Sequence, residues 1–164
     1  WKSKMKYILP LPGGGWDLEA YFNYIENCRG SLSAAVYSFA SDIRNFDMAS
    51  HQSLHDAWLE WLVIKELASG SRSETRSTQI ECRFLGPYHD QYIELKYLDV
   101  EHYELVSPVT EAVNPTVAHG DLLIHEVRLE DGWVVHQMEF SNGAEFEIFC
   151  REIEHRVVPR VGAD

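Results

Sequence analysis

The sequence predicts an α+β fold in which two N-terminal helices pack on a twisted antiparallel sheet, or a partly closed barrel, of about seven to eight strands. Three observations carry that expectation. Apolar residues recur at helical spacing between Leu18 and Ile43, period-two alternation begins at Thr78 and keeps returning, and one strand-like stretch is echoed later in the chain. The echo sets Ile93-Glu94-Leu95-Lys96-Tyr97-Leu98-Asp99-Val100-Glu101-His102 beside Phe146-Glu147-Ile148-Phe149-Cys150-Arg151-Glu152-Ile153-Glu154-His155. Glu94 falls on Glu147, Leu95 on Ile148, Val100 on Ile153, and Glu101-His102 on Glu154-His155. Leu54-His55-Asp56 and Ile124-His125-Glu126 extend the match upstream, so the pattern reads as an internal hairpin duplication.

A chain of 164 residues fits a single domain with a real core. Its parts are an extended lead-in (1–15), a helical pair (16–46), a first hairpin unit (54–106), a linker (107–120) and a second hairpin unit (121–159). In the lead-in, Pro10-Leu11-Pro12-Gly13-Gly14-Gly15 opposes regular structure, and neither a phosphate-binding glycine motif nor a signal peptide is read there. Met5 is a candidate natural start, with Trp1-Lys2-Ser3-Lys4 upstream of it. Asp17 suits a helix N-cap ahead of Leu18, Tyr21, Phe22 and Ile25, with Gly30 expected just past the helix end. A second helix is expected from Ser31 or Ser33, with Leu32, Ala35, Val36, Phe39, Ala40 and Ile43 as its stripe.

Leu54–Glu66 is apolar on both faces and reads as a central strand, covered on each side. Thr78–Leu85 and Gln91–Leu98 alternate, with Gly86-Pro87 turning the chain between them. Asp131-Gly132 is a two-residue type I′ hairpin signal. At the next turn, a three-residue loop Ser141-Asn142-Gly143 keeps the apolar faces together by pairing Met138 with Phe146, His136 with Ile148 and Val134 with Cys150.

The charge balance is 14 Lys plus Arg against 26 Asp plus Glu, a net of −12. Phosphate backbones demand a positive field, so nucleic acid is excluded as a partner. No apolar run approaches the roughly 18 residues of a membrane-spanning helix. Cys28, Cys82 and Cys150 form no CxxC and no even framework, which fits reduced thiols in a cytoplasmic protein, with Cys82 and Cys150 facing inward.

No nucleophile signature and no zinc-ligand spacing is present, so no catalytic residue, metal or cofactor is assigned. Four residues remain as binding candidates: His125, His136, His55 and Asp56. The Asp131-Gly132 turn sets Val127 against His136 and Met138 against His125, placing both imidazoles on one otherwise apolar face. There they are hydrogen-bonded within the protein, line a ligand pocket, or bind a metal. His55-Asp56 and His125-Glu126 are adjacent pairs, and neighbours on a strand point to opposite faces, so neither dipeptide acts as a unit.

Ser53-Leu54-His55-Asp56-Ala57-Trp58-Leu59, followed by hairpins, a His-Glu strand and the Phe-Glu-Ile strand, resembles a loose class of small bacterial single-domain proteins, some of them immunity proteins of toxin systems. The resemblance implies a cytosolic, acidic, non-enzymatic binding protein. The expected function is therefore that of a non-catalytic acidic binding or immunity-type protein that engages a basic protein partner. The alternative is a small-ligand-binding or metal-dependent hydrolytic domain around His125 and His136. A homo-oligomer with exposed aromatics such as Trp61 or Phe149 at its interface is the third reading.

Overall fold

The computed structural model describes residues 4–107 and 116–162. Among them are ten strands and two α-helices, with the strands in two four-stranded antiparallel sheets and one two-stranded ribbon. This corrects the single sheet or barrel expected from the sequence.

The lead-in is not irregular. Leu9–Pro10 (β1) pairs with Trp16–Asp17 (β2). Gly14 and Gly15 turn the chain between them with φ of 92° and 82°, a backbone region open to glycine but strained for other residues. Glu19–Cys28 (α1) follows, and the Asp17 carboxylate accepts from the Glu19 N–H at its start. Gly30 does not take the left-handed conformation of a helix stop; it lies in a 3₁₀ turn, Arg29–Ser31, that leads into the next helix. Ala34–Ser41 (α2) is capped by Ser33, whose Oγ accepts from the Val36 N–H.

The first sheet contains Trp58–Ser69 (β3), Thr75–Leu85 (β4), Gln91–Leu98 (β5) and Glu152–Pro159 (β10), in the order β10-β5-β4-β3. The second contains His102–Val106 (β6), Leu122–Glu130 (β7), Trp133–Phe140 (β8) and Glu145–Cys150 (β9), in the order β6-β9-β8-β7. Each sheet is thus a three-strand meander completed by a strand from the other. Asp99, at φ 49°, redirects the chain after β5, whereas Arg151 alone links β9 to β10. At these crossings the Glu101 N–H donates to the Phe149 carbonyl at 2.9 Å and the Arg151 N–H donates to the Leu98 carbonyl at 3.0 Å. Alternation tells which face a strand buries, but it does not tell which sheet the strand joins.

The echoed stretches lie on β5 and β9. Beyond the crossings their registers differ, because His155 stands opposite Leu95 while His102 stands opposite Phe149. One residue of offset inverts the face. His155 is therefore partly buried and His102 is exposed.

Both second-unit turns follow their residue chemistry. Asp131 and Gly132 have φ of 48° and 82°, as a type I′ turn requires. Gly143, at φ 84°, closes the three-residue loop, which pairs Met138 with Phe146, His136 with Ile148 and Val134 with Cys150. The linker expected over 107–120 falls partly on 108–115, outside the described residues.

The core lies between the two sheets, where Ile80, Phe84, Ile93, Leu95, Tyr97, Phe140, Ile148 and Ile153 are buried. The helices pack at its side, α2 on β10 and α1 on β7. The free edge of β7 is covered. The Tyr21 hydroxyl accepts from the Val127 N–H at 3.4 Å and donates to the Ala40 carbonyl at 3.1 Å, and the Tyr24 hydroxyl accepts from the Leu129 N–H at 2.8 Å.

The expected central strand is instead an edge strand, starting at Trp58 rather than Leu54. Trp58, Trp61, Val63, Ile64 and Leu67 are all at least 36% exposed, so apolarity on both faces does not mark burial here.

Residues 4–8 are held through side chains of the second sheet. The fully buried Glu126 carboxylate accepts from the N–H groups of Lys6 at 3.0 Å, Tyr7 at 2.7 Å and Ile8 at 3.0 Å. Replacing Glu126 with Ala leaves three amides without their acceptor, so a loss of about 3 kcal/mol in denaturant unfolding is expected. Hydrogen exchange at Lys6, Tyr7 and Ile8 should accelerate in the same variant, while Glu130→Ala, at a partly exposed site, should leave those three amides protected.

Candidate functional site

The strand register brings His125 and His136 together as the sequence suggests, with Val127 opposite His136 and Met138 opposite His125. The His125 Nδ1 lies 3.1 Å from the His136 Nε2, and the His136 Nδ1 lies 2.8 Å from the Tyr97 hydroxyl across the core. A neutral imidazole has one donor and one acceptor nitrogen. If the Tyr97 O–H donates to His136, then the His136 Nε2–H donates to His125, and the His125 Nε2–H ends the chain. That last nitrogen finds no hydrogen-bond partner of ordinary geometry.

Aromatic rings from the helical region enclose the pair. Phe46 stacks on His125 with centroids 4.3 Å apart, and Phe39 lies 5.6 Å from His125, 5.5 Å from His136 and 4.9 Å from His155. Burial disfavours the charged form of every group here. It lowers His125 to about 3, against a partial opposing effect of the Asn45 main chain. It also holds His136 well below the ordinary histidine range, with His125 and Arg128 adding repulsion, and lowers His155. The same burial raises Tyr97 and lifts the Cys82 and Cys150 thiols to about 12, so these cysteines behave as small apolar side chains.

His55 and Asp56 are not on a strand. They lie in a turn, Asp56 at φ 64°, and the His55 Nδ1 stands 3.1 Å from the Asp56 Oδ1. The opposite-face argument therefore does not apply to them. His55 shares with His125 a cleft of about 30 Å³, also lined by Trp16, Asn45 and Phe46. That space suits a single water, whereas small-molecule pockets run to about 300 Å³ or more. The structure thus brings three of the four candidates into one neighbourhood and leaves Asp56 half exposed at its rim. Tyr97, Phe39 and Phe46 were not singled out from the sequence. Only the inward position of Tyr97 in the alternation of Gln91–Leu98 could have pointed to it.

The second candidate is the outer face of the β6-β9-β8-β7 sheet. Glu104, Glu147, Gln137 and Glu126 form one row across its four strands. Glu145 and Glu139 pair in the next row. Two glutamate pairs, Glu104 with Glu147 and Glu139 with Glu145, thus stand directly opposite each other, an arrangement that destabilises a sheet unless cations intervene. Cations do intervene. The Lys4 Nζ lies 2.8 Å from the Glu145 Oε2, and hydrogen bonding to Glu145, with the fields of Glu145, Glu104 and Glu147, raises its pKa. Lys6 pairs with Glu130, and the Lys4 N–H donates to the Glu139 Oε1 at 2.7 Å. The buried Arg128 bonds Glu130 through Nε at 2.6 Å and Glu147 through Nη2 at 2.7 Å. Burial works against its charge, but those two partners hold its pKa above the ordinary value. Gln137 is buried in the row, with neither side-chain amide atom hydrogen-bonded.

Among the described residues no group of three or more His, Cys, Asp or Glu is placed to hold a metal, and no helix is long and apolar enough to cross a membrane. Compared with known proteins, the chain matches no family model, no curated sequence and no solved structure.

The histidine pair generates a pH dependence. Both folded-state pKa values lie below the unfolded value of about 6.5, so the unfolded chain binds more protons as the pH falls. Their contribution is complete above that value and is lost as the pH drops toward about 3. At pH 5 each fully buried imidazole should cost about 2 kcal/mol relative to neutral pH. Urea unfolding at pH 7.5 and pH 5.0 measures this, and the double variant His125→Phe, His136→Leu should lose most of the difference.

Proposed function

We propose that this chain is a non-catalytic acidic binding protein that engages a basic protein partner, in the manner of an immunity-type protein. Its recognition surface is the accessible part of the outer face of the second sheet, at Glu104, Glu145 and Glu147, because Glu126, Gln137 and Glu139 of that face are buried. The single observation that carries this reading is the set of opposed glutamates just described, already answered within the chain by Lys4 and Arg128, with Lys6 on Glu130 of the same face. A face that seats two lysines and accepts their main-chain amides has the chemistry to seat a lysine-bearing segment of another protein. Its negative field would also hasten encounter with such a partner.

The alternative of a ligand or hydrolytic pocket around His125 and His136 is less well supported. Among the described residues it has a cleft of about 30 Å³ beside His125, and the two rings already bond each other and Tyr97.

A lysine-rich peptide of about twenty residues is a direct probe, titrated by calorimetry at low and high salt. Binding at low salt that weakens steeply with added salt is expected. Glu104→Lys with Glu147→Lys should weaken it at least about tenfold, or about 1.4 kcal/mol. Absence of binding at low salt, or binding indifferent to the double charge reversal, would refute the reading.

A further inference from the structure

We infer that β3 is a self-association edge, where two copies of this chain pair antiparallel and join their first sheets into one of eight strands.

The sheet edges are treated unequally. The edge of β7 is capped by Tyr21 and Tyr24, α2 lies against β10, and β6 is only five residues long. β3 runs for 12 residues, the longest strand, and among the described residues its outer edge is bridged only at Trp58, by Asp121. Exposed edges are normally blunted by proline, a bulge or charges. β3 contains no proline, and its one irregularity, between Leu59 and Trp61, lies near its start. Beyond that point Trp61, Val63, Ile64 and Leu67 are exposed.

The occupant follows from charge. Between Trp58 and Thr78 the chain has Lys65, Arg72 and Arg76 against Glu60, Glu66 and Glu74, which sum to zero in a protein of net −12. Lys65 and Arg76 are further neutralised by Glu81 and Glu66. Two copies repel each other over most of their surface, but not along this strip. A two-fold axis also makes identical antiparallel strands complementary in their main-chain donors and acceptors.

Such an axis pairs residues of like parity, so the strand alternation restricts the register. An axis at Val63 would set Glu60 against Glu66 of the second copy, a like-charge pair. An axis at Ile64 instead sets Trp61 against Leu67 and Val63 against Lys65, with no like charges opposed, and uses the strand from Leu59 to Ser69. The structure favours this register.

Light scattering on the full chain at about 100 µM tests the inference, with a mass of twice 18.9 kDa expected. Ile64→Lys and Leu67→Lys, both at exposed positions, should each return the mass to a single chain while circular dichroism shows the fold retained. Ile64→Cys should form a covalent dimer under mild oxidation, because residues paired at the axis come within disulfide reach, whereas the wild-type chain should not. A wild-type chain of single mass, or a dimer that survives both lysine variants, would overturn the proposal. Covalent capture at Val63→Cys but not at Ile64→Cys would overturn the register.

Discussion

Each four-stranded sheet draws one strand from the far part of the chain, β10 in the first and β6 in the second. This exchange is the constraint on which the remaining structure depends. Neither meander completes its sheet alone, so the two sheets must form against each other. The links are short: three residues carry the chain from β5 to β6, and one carries it from β9 to β10. They hold because the Glu101 and Arg151 amides each find a carbonyl on the strand being crossed. Pairing β10 with β5 also requires contacts about sixty residues apart in sequence, such as Arg156 opposite Glu94, so folding awaits closure of long loops.

The Tyr97–His136–His125 chain spans the space that this exchange creates. Tyr97 belongs to the first sheet and the histidines to the second, so the hydrogen bonds run between sheets. Buried polar groups are costly when unpaired, by about 1–3 kcal/mol each. Here all but the terminal His125 Nε2 are paired with one another, which ties the relative position of the two sheets to the protonation of the rings. Phe39 and Phe46 complete the enclosure from the helical side. The helical region is thus part of the core and does not simply cover a finished sheet.

Local features were legible in the sequence because local chemistry decides them. Asp131-Gly132 and Ser141-Asn142-Gly143 fix their turns, the turns fix register, and register places His125 beside His136. What failed was what depends on distant parts of the chain. Alternation in Gln91–Leu98 assigns faces but carries no information on which sheet receives the next strand. The apolar run of β3 has the composition of a buried strand, and only the topology leaves it at an edge. Flanked by Glu154 and Arg156, His155 carries no local sign of burial, yet the register after the crossing turns it toward Phe39. The attachment of Lys6–Ile8 to Glu126 spans about 120 residues and has no local signal at either end.

Charge is distributed in a way that separates two kinds of contact. The glutamates of the second sheet lie on a face, whereas the neutral strip lies along an edge of the first sheet. A protein of net −12 resists self-association wherever its surface field is strong, so the neutral strip is where two copies meet the least repulsion. Pairing there would consume main-chain groups of β3 and leave the glutamates of β6, β7, β8 and β9 untouched. A dimer so built presents two acidic faces on one body. A partner with more than one basic segment would then gain from the local concentration of the second face without any new contact chemistry.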